Sequence, residues 1–348
     1  MTSIKAALSA KQRWIYLFFG TTVTVILLSW ALRDVSLIAV WNTLKVARPE
    51  WLFLGWIAYL ASYWVRAWRW GTLLTATCDP GRFKTRLSAI FIGFGVSSVL
   101  PAYLGEFARA TVLSRLDQVP LNAAIGSLFA ERLLDVGIVF LFLLLPIWFG
   151  QLPHHSNFSQ LPIGWIGSVI VMIWIAFLIG ASYPNQITNL AEHISKIIGL
   201  GRFRTQITSA ISGFLSGLTA LKQPRRSFTA LLETVLVWGL NGITYWSGLI
   251  AFGILAPGFP GALLTQSTTA LAIAIPSTPG YVGPFEAGIR FSLSVYDIPV
   301  PVVIAYAVAL RFIMYVTIPI IAGIVVGILS LSTPNLGALI IKSSGNKH

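Results

Sequence analysis

Ionisable side chains inside apolar segments are the residues of this sequence best suited to chemistry. The 348 residues include only 11 Asp and Glu and 24 Lys and Arg, yet several of these fall in otherwise apolar stretches. A charged side chain inside a membrane span costs about 2.5–3.5 kcal/mol on insertion scales, so such residues are functional candidates by default. The candidates are Glu106, Arg109, Glu131, Arg132, Asp135, Glu286, Arg290 and Arg311.

The types and spacing of these candidates predict the binding of an anion. Guanidinium groups bind phosphate through two parallel hydrogen bonds and stay charged at low dielectric. We therefore predict that the arginines hold a lipid phosphate, while the glutamates neutralise them or titrate if transport is coupled to protons. The alternative is that the charges are buried ion pairs that only hold helices together. Pairs one helical turn apart can share a helix face: Glu106 with Arg109, Arg132 with Asp135, and Glu286 with Arg290.

The composition of the chain places these residues in a membrane. Hydrophobic residues make up 56% of it and charged residues 10%, whereas soluble domains carry about 25% charged residues. Thirteen tryptophans, many near segment ends, are typical of the aromatic belt at the membrane interface. The net charge of +13 lies mostly in short stretches between apolar segments, where it sets orientation and attracts anionic headgroups. We therefore expect lipid partners and no nucleic acid.

The apolar stretches predict an all-α polytopic membrane protein. Two of them, near 86–116 and 262–297, are interrupted by Pro and Gly, which predicts broken helices or re-entrant hairpins. If each hairpin enters and leaves on one side, all the basic stretches fall on one face, which predicts cytoplasmic termini. About six stretches reach the roughly 20 residues of a full span: 14–32, 51–70, 121–149, 162–181, 228–254 and 300–330.

Several polar residues outside these candidates suggest structural roles. The stretch 185–222 is too polar to span, and its apolar residues recur at three- and four-residue steps, which predicts an amphipathic interfacial linker. We expect Arg66 and Arg69, at the end of a span, to extend to the interface. Asp117 and Asp297 are expected to cap helices or turns.

Neither the single cysteine nor the four histidines are spaced as a metal site, and no cofactor is expected.

The two interrupted stretches resemble each other. Pro101-x-Tyr-x-Gly105 matches Pro279-Gly-Tyr-Val-Gly283, and Glu, Arg, Leu-Ser, Asp, Pro and Arg follow in the same order, offset by 178 to 181 residues. This indicates duplication of a unit at about 51–149 and 228–330 within one transmembrane domain, 1–348. One extra crossing between the units would invert the second, and inverted repeats with broken helices mark secondary transporters. The residues expected to allow the breaks are Pro101, Gly105, Pro276, Pro279, Gly280 and Gly283.

Three passages carry a further resemblance: Leu100-Pro-Ala-Tyr-Leu-Gly-Glu-Phe-Ala-Arg109, Ala130-Glu-Arg-Leu-Leu-Asp135 and Pro276-Ser-Thr-Pro-Gly-Tyr-Val-Gly-Pro-Phe-Glu286. Together they resemble the lysylphosphatidylglycerol synthase transmembrane family, which includes the flippase domain of the multiple peptide resistance factor proteins. The resemblance implies a lipid-translocating fold in a bacterial or archaeal cytoplasmic membrane. Those factors carry a further synthase region, which the stretch after residue 330 is too short to hold. The resemblance therefore supports translocation and does not name the lipid.

These patterns predict a transporter rather than an enzyme. We expect it to move a phosphate-bearing or aminoacylated lipid headgroup by alternating access, without an ATP-binding Gly-x-x-x-x-Gly-Lys-Ser/Thr loop. Two alternatives stay open. One is a membrane-embedded transferase on lipid-linked substrates, with Glu106, Glu131 or Asp135 in a catalytic role. The other is a partner subunit of a lipid-synthesising enzyme. The sequence does not name the lipid, the coupling ion or the oligomeric state.

Overall fold

The computed structural model shows a helical protein. Every regular element among the described residues is helical, so the prediction of an all-α protein is confirmed. The linker 185–222, Pro101 and Pro276 lie outside the described residues, and so does most of the span 162–181. The structure describes residues 22, 25–33, 35–99, 104–149, 165, 167–169, 171–172, 174–175, 223–275 and 279–332.

The first half of the described chain contains five helices: α1 (Leu37–Lys45), α2 (Pro49–Leu74), α3 (Phe83–Val99), α4 (Leu104–Asp117) and α5 (Leu121–Trp148). Pro49 begins α2 because its missing N–H would have had no partner in the first turn, and Glu50 there faces the positive end of the helix. The 26 residues of α2 and the 28 of α5 make helices of about 40 Å. Both exceed the roughly 30 Å hydrocarbon core.

The second half contains α6 (Pro224–Ala251), α7 (Gly258–Ile273), α8 (Pro284–Leu293), α9 (Val300–Arg311) and α10 (Thr317–Ser332). A π-helical turn, Phe312–Val316, joins α9 to α10. The helices α3, α4, α7 and α8 have 17, 14, 16 and 10 residues, so each is shorter than the hydrocarbon core. Within each stretch that Pro and Gly interrupt in the sequence, one helix therefore ends and another begins.

Glycines at the two breaks serve different purposes. Gly280 and Gly283 have φ values of 74° and 93°, in the region that favours glycine, and Gly283 precedes the first residue of α8. Gly105 instead allows α4 to cross α3 closely, because a Cβ there would collide with the carbonyl of Gly93 and the hydroxyl of Ser97.

Helices α2 and α6 pack against each other along their length and run antiparallel. The N–H of Arg48 donates to the carbonyl of Ala251, Thr244 donates to the carbonyl of Gly55, and Arg226 donates to the carbonyl of Thr75. The short helices exchange partners between the halves, since α3 packs on α10 and α7 packs on α5. The two halves therefore interlock around the α2–α6 pair.

Polarity is distributed as in a protein surrounded by lipid. Arg69, Arg109 and Glu131 are fully buried, whereas large apolar side chains such as Phe228 and Ile324 are exposed. Among the described residues one continuous helix, Val300–Ser330, is both long and apolar enough to cross a membrane. Helices α2, α5 and α6 are as long but carry charged side chains, several of which pair inside the protein.

Candidate functional site

Six charged side chains from α2, α4 and α5 form one connected network. At its buried centre, Arg69 contacts Asp135 at 2.6 Å and Glu131 at 2.9 Å. Arg109 contacts the second oxygen of Glu131, also at 2.9 Å. Arginines of α2 and α4 therefore converge on two carboxylates of α5.

Arg132 brings this network to the surface. Its guanidinium lies 3.0 Å from both Glu131 and Asp135 and 3.4 Å from Glu106. Its side chain is 41% exposed and that of Glu106 is 24% exposed, whereas the central members are buried. The predicted pairings of Arg132 with Asp135, at 3.0 Å, and of Glu106 with Arg109, at a longer 3.9 Å, are both confirmed.

Neutral groups complete the surroundings of the network. The hydroxyl of Thr234 accepts a hydrogen bond from Arg69 at 3.1 Å, and the indole N–H of Trp238 donates to Asp135 at 2.9 Å. The guanidinium of Arg109 lies 5.1 Å from the centre of the Trp70 ring, within range of a cation–π interaction. Both Thr234 and Trp238 belong to α6, so the second half of the chain helps to hold the first half's charges.

The second half contains a smaller charged group at the other helix break. Glu286, in the first turn of α8, contacts Arg311 at 2.6 Å and accepts a hydrogen bond from the N–H of Gly283 at 2.9 Å. Arg311 also donates to the carbonyl of Gly280 at 2.7 Å and lies over the rings of Phe285 and Tyr315. The pair therefore closes the break that precedes α8.

Residues 17–323 match the Lysylphosphatidylglycerol synthase TM region. The chain belongs to this family. It is also similar to two membrane proteins of Methanocaldococcus jannaschii. UPF0104 membrane protein MJ1595 is 21% identical over 313 residues, which are 87% of this chain and 93% of that protein. UPF0104 membrane protein MJ1078 is 22% identical over 228 residues, which are 64% of this chain and 89% of that protein.

No solved structure matches the chain significantly. Membership of the family confirms the resemblance carried by the three sequence passages, and it identifies a membrane protein of a lipid-related family. The matched region 17–323 includes all six charges of the network and the pair Glu286–Arg311.

The expected pairing of Glu286 with Arg290 is wrong. Arg290 points away from Glu286 and donates to the carbonyls of Trp30, Ala31 and Arg33 at 2.5, 2.7 and 3.1 Å. Those carbonyls lie at the end of helical residues 25–31, where a cation is favoured by the helix dipole. Four-residue spacing allows the two side chains to pair, but each has a different partner. Arg290 binds the three carbonyls, and Glu286 binds Arg311.

The expectation for Arg69 and Arg66 is also wrong. Helix α2 continues to Leu74, so both arginines lie more than one turn inside it, and neither extends to the interface. Arg69 lies at the centre of the network, although the sequence analysis does not include it among the site candidates. The signal available was the helical phase, because Arg69 lies at three- and four-residue steps from Ser62, Val65 and Leu73, all of which are buried.

Asp117 has the structural role expected of it. At the end of α4, in the connection to α5, it accepts hydrogen bonds from the backbone N–H of Arg82 at 2.6 Å and from the Arg82 side chain at 2.8 Å. Burial acts to raise the pKa of Asp117, but these hydrogen bonds outweigh it and hold the pKa below its ordinary value. Asp297 occupies a left-handed turn just before α9, also as expected.

Proposed function

We propose that this protein translocates lipids whose headgroups carry a phosphate. The observation that carries the proposal is a repeated pair. Arg132 contacts Glu106 at 3.4 Å in the first half, and Arg311 contacts Glu286 at 2.6 Å in the second. In both halves the carboxylate lies in the first turn after a helix break. In both halves the arginine lies in the helix that follows.

Each pair is suited to exchanging its carboxylate for a phosphate. Arg132 and Glu106 are 41% and 24% exposed, and Arg311 is 20% exposed, so an anion can approach them. Each glutamate neutralises its arginine while the site is empty. A phosphate then replaces the glutamate as the partner, because a guanidinium offers the same planar pair of donors to either anion. Each pair is neutral while the site is empty. After the exchange Glu106 keeps Arg109 at 3.9 Å, and Glu286 keeps the hydrogen bond from the N–H of Gly283 at 2.9 Å.

The arrangement of the halves supports alternating access. Corresponding helices α2 and α6 run antiparallel, as an inverted repeat requires. Each half contributes one arginine–glutamate pair at a helix break. A change of helix direction at such a break would open the site to one side of the membrane and close it to the other. We place the protein in the cytoplasmic membrane as a multi-pass protein with both termini cytoplasmic, since the basic stretches then share one face.

Headgroup accessibility in proteoliposomes tests the proposal. The native protein, Arg132→Ala and Arg311→Ala are compared with Arg82→Ala, which removes a largely exposed arginine outside the site. We expect movement of labelled phosphatidylglycerol by the native and Arg82→Ala proteins. Loss of a charge-assisted hydrogen bond should slow the two site variants about tenfold or more. If no labelled phospholipid moves faster than in empty liposomes, a transferase or a partner subunit becomes the better interpretation.

A further inference from the structure

Arg66 is a buried cation that forms no ion pair with any of the described residues, and Asp135 and Glu131 attract it only from beyond ion-pair distance. The residue is 7% exposed, its Nε has no hydrogen-bond partner, and its guanidinium forms no ion pair in the described part of the chain. An arginine cannot relieve this by losing its proton, since it stays charged in proteins. A buried charge is normally paired, so the surroundings of Arg66 are incomplete as they stand.

The neighbouring carboxylates are already occupied. Glu131 contacts Arg69 and Arg132 through one oxygen and Arg109 through the other. Asp135 contacts Arg69 through one oxygen and Arg132 through the other. With Glu106, the network balances three arginines against three carboxylates and is neutral. Arg66 therefore adds one positive charge that these three carboxylates do not neutralise. The next carboxylate, Glu233 on α6, forms no ion pair with Arg66 and accepts a hydrogen bond from Thr72 at 3.0 Å.

Aromatic side chains hold the Arg66 guanidinium in place. It lies 5.1 Å from the centre of the Phe94 ring and 5.9 Å from that of the Tyr63 ring. Ring faces attract a cation but replace only part of the interaction that an anion or water would provide. Phe94 belongs to α3 and Tyr63 to α2, so the guanidinium is held where these two helices meet.

A chain of contacts leads from Arg66 to the helical turn that follows Arg311. The hydroxyls of Tyr63 and Tyr59 are 3.0 Å apart, and Tyr59 donates to the carbonyl of Met314 at 3.4 Å. Met314 lies in the π-helical turn that begins directly after Arg311. Arg66 thus occupies the region between the network that ends at Arg132 and the pair formed by Arg311.

We propose that Arg66 is the receptor for a single phosphate anion, bound between α2 and α3. This rests on the proposed function, because the favoured source of the phosphate is a lipid headgroup held part-way between Arg132 and Arg311. Free phosphate offers the guanidinium the same pair of acceptor oxygens. The bound anion would neutralise the one positive charge left over beside the network.

Thermal unfolding with defined additives tests the assignment. Native protein, Arg66→Gln, Arg66→Met and the exposed-site control Arg226→Gln are purified in a neutral detergent. Each is titrated with phosphatidylglycerol, phosphatidylcholine or inorganic phosphate. We expect phosphatidylglycerol to raise the melting temperature of the native and Arg226→Gln proteins. Both Arg66 variants should bind it about 10- to 100-fold more weakly. A response to inorganic phosphate at the same concentrations would identify free phosphate as the source.

The ligand-free variants separate binding from a structural role. Removing an uncompensated buried charge should leave the melting temperature of Arg66→Met equal to or above that of the native protein. A large fall, or an unchanged response of the Arg66 variants to phosphatidylglycerol, would overturn the assignment. So would a native protein that responds to none of the three additives. The melting experiment measures binding and the proteoliposome assay measures transport, so the two proposals can fail separately. If the native protein moves lipid but its lipid binding does not depend on Arg66, only the assignment of Arg66 is overturned. Arg66-dependent binding without movement would overturn the proposed function alone.

Discussion

The guanidinium of Arg69 and the carboxylate of Asp135 meet at 2.6 Å between α2 and α5, although 66 residues separate them in the sequence. Both are buried, and Glu131 and Thr234 contact the same guanidinium. Helices α2, α5 and α6 are thereby fixed around one point. Desolvation offsets much of the attraction within such a pair, but the loss of one partner leaves the other charge buried and alone.

Removal of Arg69 should therefore unfold or loosen the protein more than removal of an exposed arginine. We expect Arg69→Ala to lower the free energy of unfolding by about 3–5 kcal/mol, because Glu131 and Asp135 lose their shared cation. Arg82→Ala should change it by about 1 kcal/mol or less, because the Arg82 side chain is largely exposed and Asp117 keeps its hydrogen bond from the Arg82 backbone N–H. Denaturant unfolding in detergent measures both, and equal effects of the two substitutions would argue against a cooperative network.

Neutralising Glu106 should strengthen anion binding and slow release. In the empty protein Glu106 competes with an incoming phosphate for Arg132, and Glu106→Gln removes that competitor. We expect about tenfold tighter binding of phosphatidylglycerol together with a lower maximal rate of lipid movement. The measurement is the initial rate at low and saturating lipid fractions. Weaker binding by Glu106→Gln would show that the glutamate contacts substrate directly instead.

The sequence predicts the kinds of residues in the site better than their partners. Charges inside apolar stretches identified every member of the network except Arg69, and the three-residue spacing rule correctly paired Arg132 with Asp135. The contacts of Arg69 with Asp135 and of Arg311 with Glu286 join different helices. Those contacts depend on how helices pack together, and residue spacing within one helix does not predict that packing.

Two boundary effects explain the remaining differences. Arg69 was expected at a span end near residue 70, but α2 continues for another turn to Leu74 and keeps Arg69 in the core. Arg290 has the spacing of a partner for Glu286, yet its contacts are backbone carbonyls at the end of helical residues 25–31. The carbonyls that Arg290 contacts leave no pattern in the local sequence, whereas the burial of Arg69 could be predicted only by extending the helical phase of α2 beyond residue 70.

Arg290 should therefore anchor the chain before α1. We expect Arg290→Gln to expose the segment around Trp30 and Arg33 to protease, because three carbonyls lose their shared donor. Limited proteolysis followed by mass mapping of the first cleavage site measures this. Arg226→Gln, which removes an exposed contact to the carbonyl of Thr75, serves as the control. Cleavage elsewhere in Arg290→Gln would argue against the anchoring role.

The contact of Asp117 with Arg82 should make stability depend on acid pH. The pKa of Asp117 is lower in the folded state, so its contribution is fully present above the unfolded value of about 3.9. It is lost as pH falls through the lower folded value. The native protein should exceed Asp117→Asn in stability above about pH 5, and the difference should shrink towards pH 3. Melting temperatures across this range measure it, and a difference that grows on acidification would contradict the assignment.

Two glycine-to-alanine substitutions should act in opposite directions. At Gly105 a Cβ would collide with the Gly93 carbonyl and the Ser97 hydroxyl, so Gly105→Ala must push α4 away from α3, at a cost of about 1–3 kcal/mol. At Gly239, inside α6, a Cβ would meet nothing within 4 Å, so Gly239→Ala should stabilise the helix by about 0.5–1 kcal/mol. Unfolding measurements on both, with lipid movement per folded molecule, test the close crossing. Because Glu106 follows Gly105 directly, only Gly105→Ala should also shift the glutamate from Arg132 and slow transport. Equal activity of the two variants would show that transport does not depend on this crossing.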